Sequence, residues 1–337
     1  MSMAAVRRAG PPLFWVRSSA QTRPRTEIQR GSSTMCPAGR SWVRSLTEAN
    51  MNDATIPAER PLSGKVALVT GAGRPQGIGR AIVLSLARAG ADIVVTDVAR
   101  KRADILVEGI GLCDSMTGLD ETATLARSHG IGAIAVACDI TDEKQIEAAI
   151  AAAIATYGRL DILVNNAGTG LGAGAFETIE DTVWRLSWEV NVLGAVKTCR
   201  VAQPHLALSG RGTIINIAST LGLAAQPGYG AYVLAKHAIV GLTRLLAAEW
   251  GPKGIRVNAI APGFIHTDMG AHELELIAQL RNIDVAAASA AVLTEIPLGR
   301  LGTPDDVAEA VTWLAGSASY VSGVILPVHG GVVSGLN

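Results

Sequence analysis

From Lys65 onward, short runs of consecutive apolar residues alternate with stretches whose apolar residues recur at helical spacing. The runs are Val66–Thr70, Ala91–Asp97, Ala133–Asp139, Asp161–Asn165, Thr213–Ala218, Arg256–Ala261 and Gly323–Pro327. Continuous apolar runs of ~4–8 residues predict strands buried on both faces, the signature of a parallel sheet. Helical spacing covers Ile78–Ala89 up to Gly90, Glu143–Tyr157 up to Gly158, and regions near 179–207, 231–250 and 304–315. The last opens Thr303-Pro304-Asp305-Asp306, with a hydroxyl to cap the helix, Pro at the first helical position and acids in the first turn. Strands alternating with helices predict an α/β fold with helices on both faces of the sheet. No linker-like break follows residue 60, so residues 61–337 are expected to form one domain.

Composition agrees with a large buried core. Of 337 residues, 49% are apolar and 17% charged, with few aromatics and abundant Ala and Gly. No unbroken apolar run reaches the ~18 residues that span a bilayer, so a soluble protein is expected, with no membrane partner. Net charge is zero but uneven. Residues 1–50 hold eight Arg, no Lys and only Glu27 and Glu48, a net +6 that leaves −6 on the remainder. A slightly acidic body excludes an electrostatic case for nucleic acid. Cys36, Cys113, Cys138 and Cys199 have no paired or metal-like spacing, so no metal is expected and reduced thiols in a cytoplasmic setting are. Residues 1–60 are Arg-, Ser- and Pro-rich without periodicity. They are read as a disordered extension or as a misassigned start with Met51 as the true one, ahead of an organellar targeting segment.

Between the first predicted strand and helix lies Thr70-Gly71-Ala72-Gly73-Arg74-Pro75-Gln76-Gly77-Ile78-Gly79. Glycines let the chain turn sharply and let phosphate oxygens approach backbone N–H groups at a helix N-terminus. Asp97 ends the second strand, 26 residues after Gly71. A carboxylate there can accept from both hydroxyls of an adenosine ribose and repels a 2′-phosphate, which favours NAD over NADP. Arg74, Arg100, Lys101 and Arg102 are the counterweight. Asp139 ends the third strand, and Asn165-Asn166-Ala167-Gly168 ends the fourth, at the sheet edge where ligands of open α/β sheets bind.

Tyr232 and Lys236 are four residues apart and share one helical face. An ammonium beside a phenol favours the phenolate and is expected to lower a pKa that ordinarily lies near ~10. Such a tyrosine can exchange a proton with a substrate oxygen. Ser219 lies 13 residues before Tyr232.

Together, the glycine loop, Asp97, Asp139, Asn165–Gly168, Asn191, Ser219, Tyr232, Lys236 and Pro262-Gly263-Phe264-Ile265-His266-Thr267 resemble the short-chain dehydrogenase/reductase family over about residues 61–332. The resemblance implies a single doubly wound Rossmann-fold domain with a seven-stranded parallel sheet. It implies Asn191, Ser219, Tyr232 and Lys236 as the catalytic set, with Lys236 also on the nicotinamide ribose and Asn191 holding a relay water. Cofactor contacts would come from Gly71, Gly73, Gly77, Ile78, Gly79, Asp97, Asp139 with Ile140 at the adenine, Asn166, Ala167, Gly168, Tyr232, Lys236, Pro262, Gly263, Ile265 and Thr267. The last two would hold the carboxamide. A homotetramer or homodimer is implied as well.

The chain departs from the family pattern in three places. Five residues rather than three separate Gly71 from Gly77, leaving Gly71 or Gly73 as the first glycine. The link at about 98–120 is long and glycine-rich. His329 stands where the family usually has Asp. The expected activity is hydride transfer between NAD(H) and a secondary alcohol or ketone. Residues 269–298, Ala-rich with few charges, are the expected lid and suit an apolar, medium-sized substrate. Two other readings are a 3-oxoacyl-thioester (acyl-carrier-protein) reductase and a catalytically silent NAD(H)-sensing protein.

Overall fold

The computed structural model describes residues 60–99 and 116–332. The N-terminal extension and most of the long link after Asp97, with Arg100, Lys101 and Arg102, lie outside the described residues.

Seven strands form one parallel sheet: β1 (Val66–Thr70), β2 (Asp92–Asp97), β3 (Ala133–Ala137), β4 (Ile162–Asn165), β5 (Thr213–Ile217), β6 (Arg256–Pro262) and β7 (Ile325–Val328), in the order β3-β2-β1-β4-β5-β6-β7. All pairings are parallel, with Leu68 of β1 opposite Val94 of β2 and Leu163 of β4. The strand order reverses between β1 and β4, which opens a crevice at the carboxyl edge. The predicted apolar runs are these strands. Central β1, β4 and β5 are buried at every residue, whereas β3 and β7 at the edges are only partly covered.

Nine α-helices accompany the sheet among the described residues: α1 (Ile78–Arg88), α2 (Met116–Arg127), α3 (Glu143–Tyr157), α4 (Asp181–Trp188), α5 (Gly194–Leu208), α6 (Gly230–Trp250), α7 (Asp268–Arg281), α8 (Val285–Glu295) and α9 (Pro304–Ala315). One core packs α1, α2 and α9 on one face of the sheet, and a second packs α3, α5 and the end of α6 on the other. Local chemistry sets many boundaries. Asp142 accepts the Lys144 N–H at 3.0 Å to start α3, and Gly158, at φ 75°, ends it. Thr303 caps α9 as predicted, and Asp306 returns the bond to the Thr303 N–H, making the cap reciprocal.

Among the described residues one helix with its following turn, Gly230–Lys253, is long and apolar enough overall to cross a membrane, although no unbroken apolar run in it is. Its apolar side packs on β6, and its polar side chains Lys236 and Thr243 are buried there.

Candidate active site

Every strand of the sheet's centre ends at the same edge, and the predicted site residues follow those ends. Gly71 turns the chain out of β1 at φ 68°, and a Cβ there would lie 2.7 Å from Ala167 Cα. Gly79 is tighter still: a Cβ would meet the Gly71 carbonyl oxygen at 2.3 Å and Asn166 Nδ2 at 2.6 Å. Gly71 therefore makes the first turn, and the two extra residues are accommodated between it and Gly77, the residue preceding α1. Thr70 Oγ1 accepts the N–H groups of Asn166 and Ala167 at 3.0 Å each, and Asn166 Nδ2 donates to the carbonyls of Thr70 and Gly71 at 2.9 Å. The Asn-Asn-Ala-Gly segment thus clamps the glycine turn to β4.

Asp97 closes the other side of the loop. Its carboxylate accepts the Gly73 N–H at 2.9 Å and the Val98 N–H at 2.8 Å. Burial raises its pKa, partly countered by these two N–H groups and by Arg74. Asp139 directs its carboxylate to the Thr141 N–H and hydroxyl, and Ile140 is buried against Gly194.

One cavity runs along this edge. Gly71, Gly77, Ile78 and Gly79 line it from β1 and α1, and Asn166 and Gly168 from the β4 end. Ser219, Tyr232 and Lys236 line its middle; Pro262, Gly263, Ile265 and Thr267 line the side given by β6 and the start of α7. Gly73, Asp97, Asp139, Ile140, Ala167 and Asn191 are not on its wall. Arg74, Phe264, Tyr229, His272 and Glu273 are on it as well.

Ser219 follows β5, is almost fully buried, and accepts the Leu221 N–H at 3.1 Å. Its hydroxyl also acts on the Tyr232 phenol, lowering the pKa there. Lys236 is 6% exposed; its Nζ donates to the Ile217 carbonyl at 2.9 Å and stands 5.4 Å from the centre of the Tyr232 ring. Here the expected electrostatics are reversed. Burial pushes the Tyr232 phenol above its ordinary value, Glu273 pushes it further, and the Ser219 hydroxyl opposes both. The same burial brings Lys236 down to about 8. Desolvation penalises the charged form of each group, and it outweighs the attraction that four-residue spacing alone suggests.

Asn191 lies in a π-helical turn, Glu189–Leu193, between α4 and α5. Its side chain accepts the Thr169 N–H at 2.9 Å and donates to the Thr169 carbonyl at 3.0 Å. A Cβ on Gly168 would fall 2.8 Å from Asn191 Oδ1 and 3.8 Å from Lys236 Nζ, so Gly168 keeps the space between them open.

A buried polar chain, absent from the expected site, positions α6. Asn165 Nδ2 donates to Asn216 Oδ1 at 2.9 Å, and Asn216 Nδ2 donates to Thr243 Oγ1 at 2.9 Å. It ties β4 to β5 and β5 to the helix that carries Tyr232. The signal was present as Asn in otherwise apolar strand ends. The other overlooked feature is Glu273 on α7, whose Oε1 accepts the Tyr229 hydroxyl at 3.0 Å. Burial pushes this carboxyl up to about 7.

Comparison with known proteins agrees with this fold. The family model described as enoyl-(acyl carrier protein) reductase matches residues 71–333. The chain is 33% identical to a 3-oxoacyl-[acyl-carrier-protein] reductase of Thermotoga maritima over 81% of its own length and 99% of that protein. It is 37% identical to a cyclohexanol dehydrogenase of Rhodococcus sp. (strain TK6), over 81% of this chain and 97% of the relative. A crystal structure of carveol dehydrogenase from Mycobacterium avium in complex with NAD superposes with a TM-score of 0.75 at 31% identity, covering 81% of this chain and 98% of that one. With a seven-stranded parallel sheet and a full-length match to such relatives, the chain belongs to the short-chain dehydrogenase/reductase family.

Proposed function

We propose that this protein is an NAD-dependent oxidoreductase that interconverts a secondary alcohol and its ketone, with Tyr232 as the proton-transfer group. The observation that carries this reading is convergence: Ser219, Tyr232 and Lys236 share one cavity wall with the glycine turn and with the segment after β6. NAD(H), when bound, is the partner that takes up or supplies the hydride. In oxidation the Tyr232 phenolate takes the hydroxyl proton; in reduction the phenol returns a proton to the oxygen as negative charge develops there. Ser219 Oγ holds that oxygen and bonds the phenol, an electrostatic role that needs no rearrangement. Lys236, brought down to about 8 and held 5.4 Å from the centre of the Tyr232 ring, reaches the nicotinamide ribose, while Asn191 steadies the Thr169 backbone.

The chain's residues fit the cofactor. The turn at Gly71 and the helix N-terminus after Gly77 suit a pyrophosphate, and Asp97 suits ribose hydroxyls and disfavours a 2′-phosphate. The cofactor assignment is therefore NAD, held by the glycine loop, Asp97, Asp139 with Ile140, Asn166 to Gly168, and Pro262 to Thr267. Relatives whose names describe alcohol dehydrogenases support the substrate class. A 3-oxoacyl-thioester reductase is the second reading, favoured by the Thermotoga maritima relative and disfavoured by Asp97, which opposes NADPH. A homotetramer or homodimer fits the exposed Leu234 and Leu245 on α6, and buried Cys138 and Cys199 fit a cytoplasmic setting.

The test is a panel of secondary alcohols and ketones, with a 3-oxoacyl thioester among them, run with each cofactor. Turnover of alcohols with NAD⁺ is expected, and Tyr232→Phe should remove ~10²–10⁴-fold of it while NADH still binds. Undiminished turnover by that variant would sink the assignment.

A further inference from the structure

The cavity has a second polar corner that the proton-transfer chemistry does not use. Tyr229 sits three residues before Tyr232, at the head of α6, and donates its hydroxyl to Glu273 Oε1 at 3.0 Å. Glu273 comes from α7, so this bond joins the helix carrying the reactive tyrosine to the first helix of the expected lid. Both side chains line the same cavity as Ser219 and Tyr232. Glu273 Oε2 makes no hydrogen bond to the described residues and is not sealed away from the cavity. The neighbouring charges do not neutralise it. His272 on the same helix has its Nδ1 3.3 Å from Glu275 Oε2, and Arg281 pairs with Glu295 at 3.6 Å. Glu273 is also close enough to Tyr232 to act on its phenol electrostatically.

Resting on the reading of this cavity as an alcohol and ketone site, we propose that Tyr229 and Glu273 form a specificity subsite. It holds a second hydroxyl of a neutral substrate, away from the reacting carbon, and turns away carboxylates. A hydroxyl both donates and accepts, and the free Glu273 oxygen with the Tyr229 hydroxyl offers it partners of either kind. The carboxyl, pushed up to about 7 by burial, accepts as carboxylate and donates as acid near neutrality. A substrate carboxylate would meet like charge there with little water to screen it. The substrate class is therefore a secondary alcohol or ketone bearing a second hydroxyl, rather than a plain hydrocarbon alcohol or a hydroxy acid.

The experiment uses full-length protein carrying Tyr232→Phe, loaded with NADH, so that ligands bind without being consumed. It is titrated with cyclohexanone, 4-hydroxycyclohexanone and 4-oxocyclohexanecarboxylate, and binding is read from NADH fluorescence. The hydroxy ketone should bind about tenfold tighter than cyclohexanone, and the carboxylate weakest. Adding Glu273→Gln or, separately, the milder Tyr229→Phe should bring the first two together, and Glu273→Gln should also strengthen the carboxylate about tenfold. Equal binding of the first two with Glu273 intact, or ratios unmoved by Glu273→Gln, overturns the subsite alone. Failure of NADH to bind at all sinks the proposed function and the subsite with it.

Discussion

Lys236 stands 5.4 Å from the centre of the Tyr232 ring but donates its hydrogen bond to the Ile217 carbonyl, at 2.9 Å. The ammonium is anchored on β5, and burial alone brings it down to about 8 from 10.5. A lysine with a folded pKa below its unfolded one binds fewer protons in the folded state between those values. Stability therefore rises with pH from about 8 to 10.5 and gains nothing from this group below 8. Urea unfolding of the protein and of Lys236→Met across that window should show this rise in the first and not in the second. Parallel pH curves would contradict the burial argument.

Ser219 lowers the Tyr232 pKa against burial and Glu273, which raise it. Ser219→Ala should cost ~10²–10³-fold in kcat. It should also move the alkaline rise of alcohol oxidation to higher pH, because the phenolate becomes harder to form. A pH–rate profile of both proteins checks the direction.

Asp97 accepts the Gly73 and Val98 N–H groups, and the proposed NAD site gives it the ribose hydroxyls as well. Asp97→Ala should lower the ratio of kcat/KM with NAD⁺ to that with NADP⁺ by about tenfold or more. An unchanged ratio would remove Asp97 from cofactor selection.

Two glycines make opposite predictions. Gly79→Ala forces a Cβ to within 2.3 Å of a backbone oxygen, and should lower thermal stability and abolish NADH binding together. Gly241, exposed on α6, has nothing within 4 Å of a Cβ, so Gly241→Ala should stabilise by about 0.5–1 kcal/mol. Thermal melts with and without NADH separate the two.

At the opposite edge of the sheet, Asp161 accepts the Val66 N–H at 3.0 Å and pairs with Arg159 and Lys65. Burial would raise its pKa, but these partners hold it below 3.8. Its contribution is complete above that value and is lost as pH falls through the folded pKa. Asp161→Ala should cost about 2–3 kcal/mol at neutral pH, with the difference from the parent protein shrinking under acid.

The strands and the limits of α1, α3, α6 and α9 were legible because short-range chemistry writes them. Thr303 and Pro304 start α9, Gly158 ends α3, and unbroken apolar runs mark strands covered on both faces. The expected lid, by contrast, is two helices that bend by 103°. Asn282, at φ 51°, and Asp284, capping the Ala287 N–H, mark the break ahead of an Ala-rich run. The π-helical turn that carries Asn191 has no local signature of that kind. Within it the Asn191 side chain meets the Thr169 backbone 22 residues away, a pairing that only the folded chain makes.

What the sequence determined by itself was the order of strands and helices, the family, and which residues share a sheet edge. The first and last depend on neighbours in the chain or on a periodicity, and the family rests on the resemblance of motifs spaced along the chain. The tertiary structure decided the electrostatics. It brought Tyr229 against Glu273 across 44 residues and set Lys236 on Ile217 rather than on the phenol. It also raised Tyr232 where spacing alone suggested lowering it. A pKa is set by how much water a group loses and what then faces it, and neither quantity exists until the sheet, α6 and α7 are packed together.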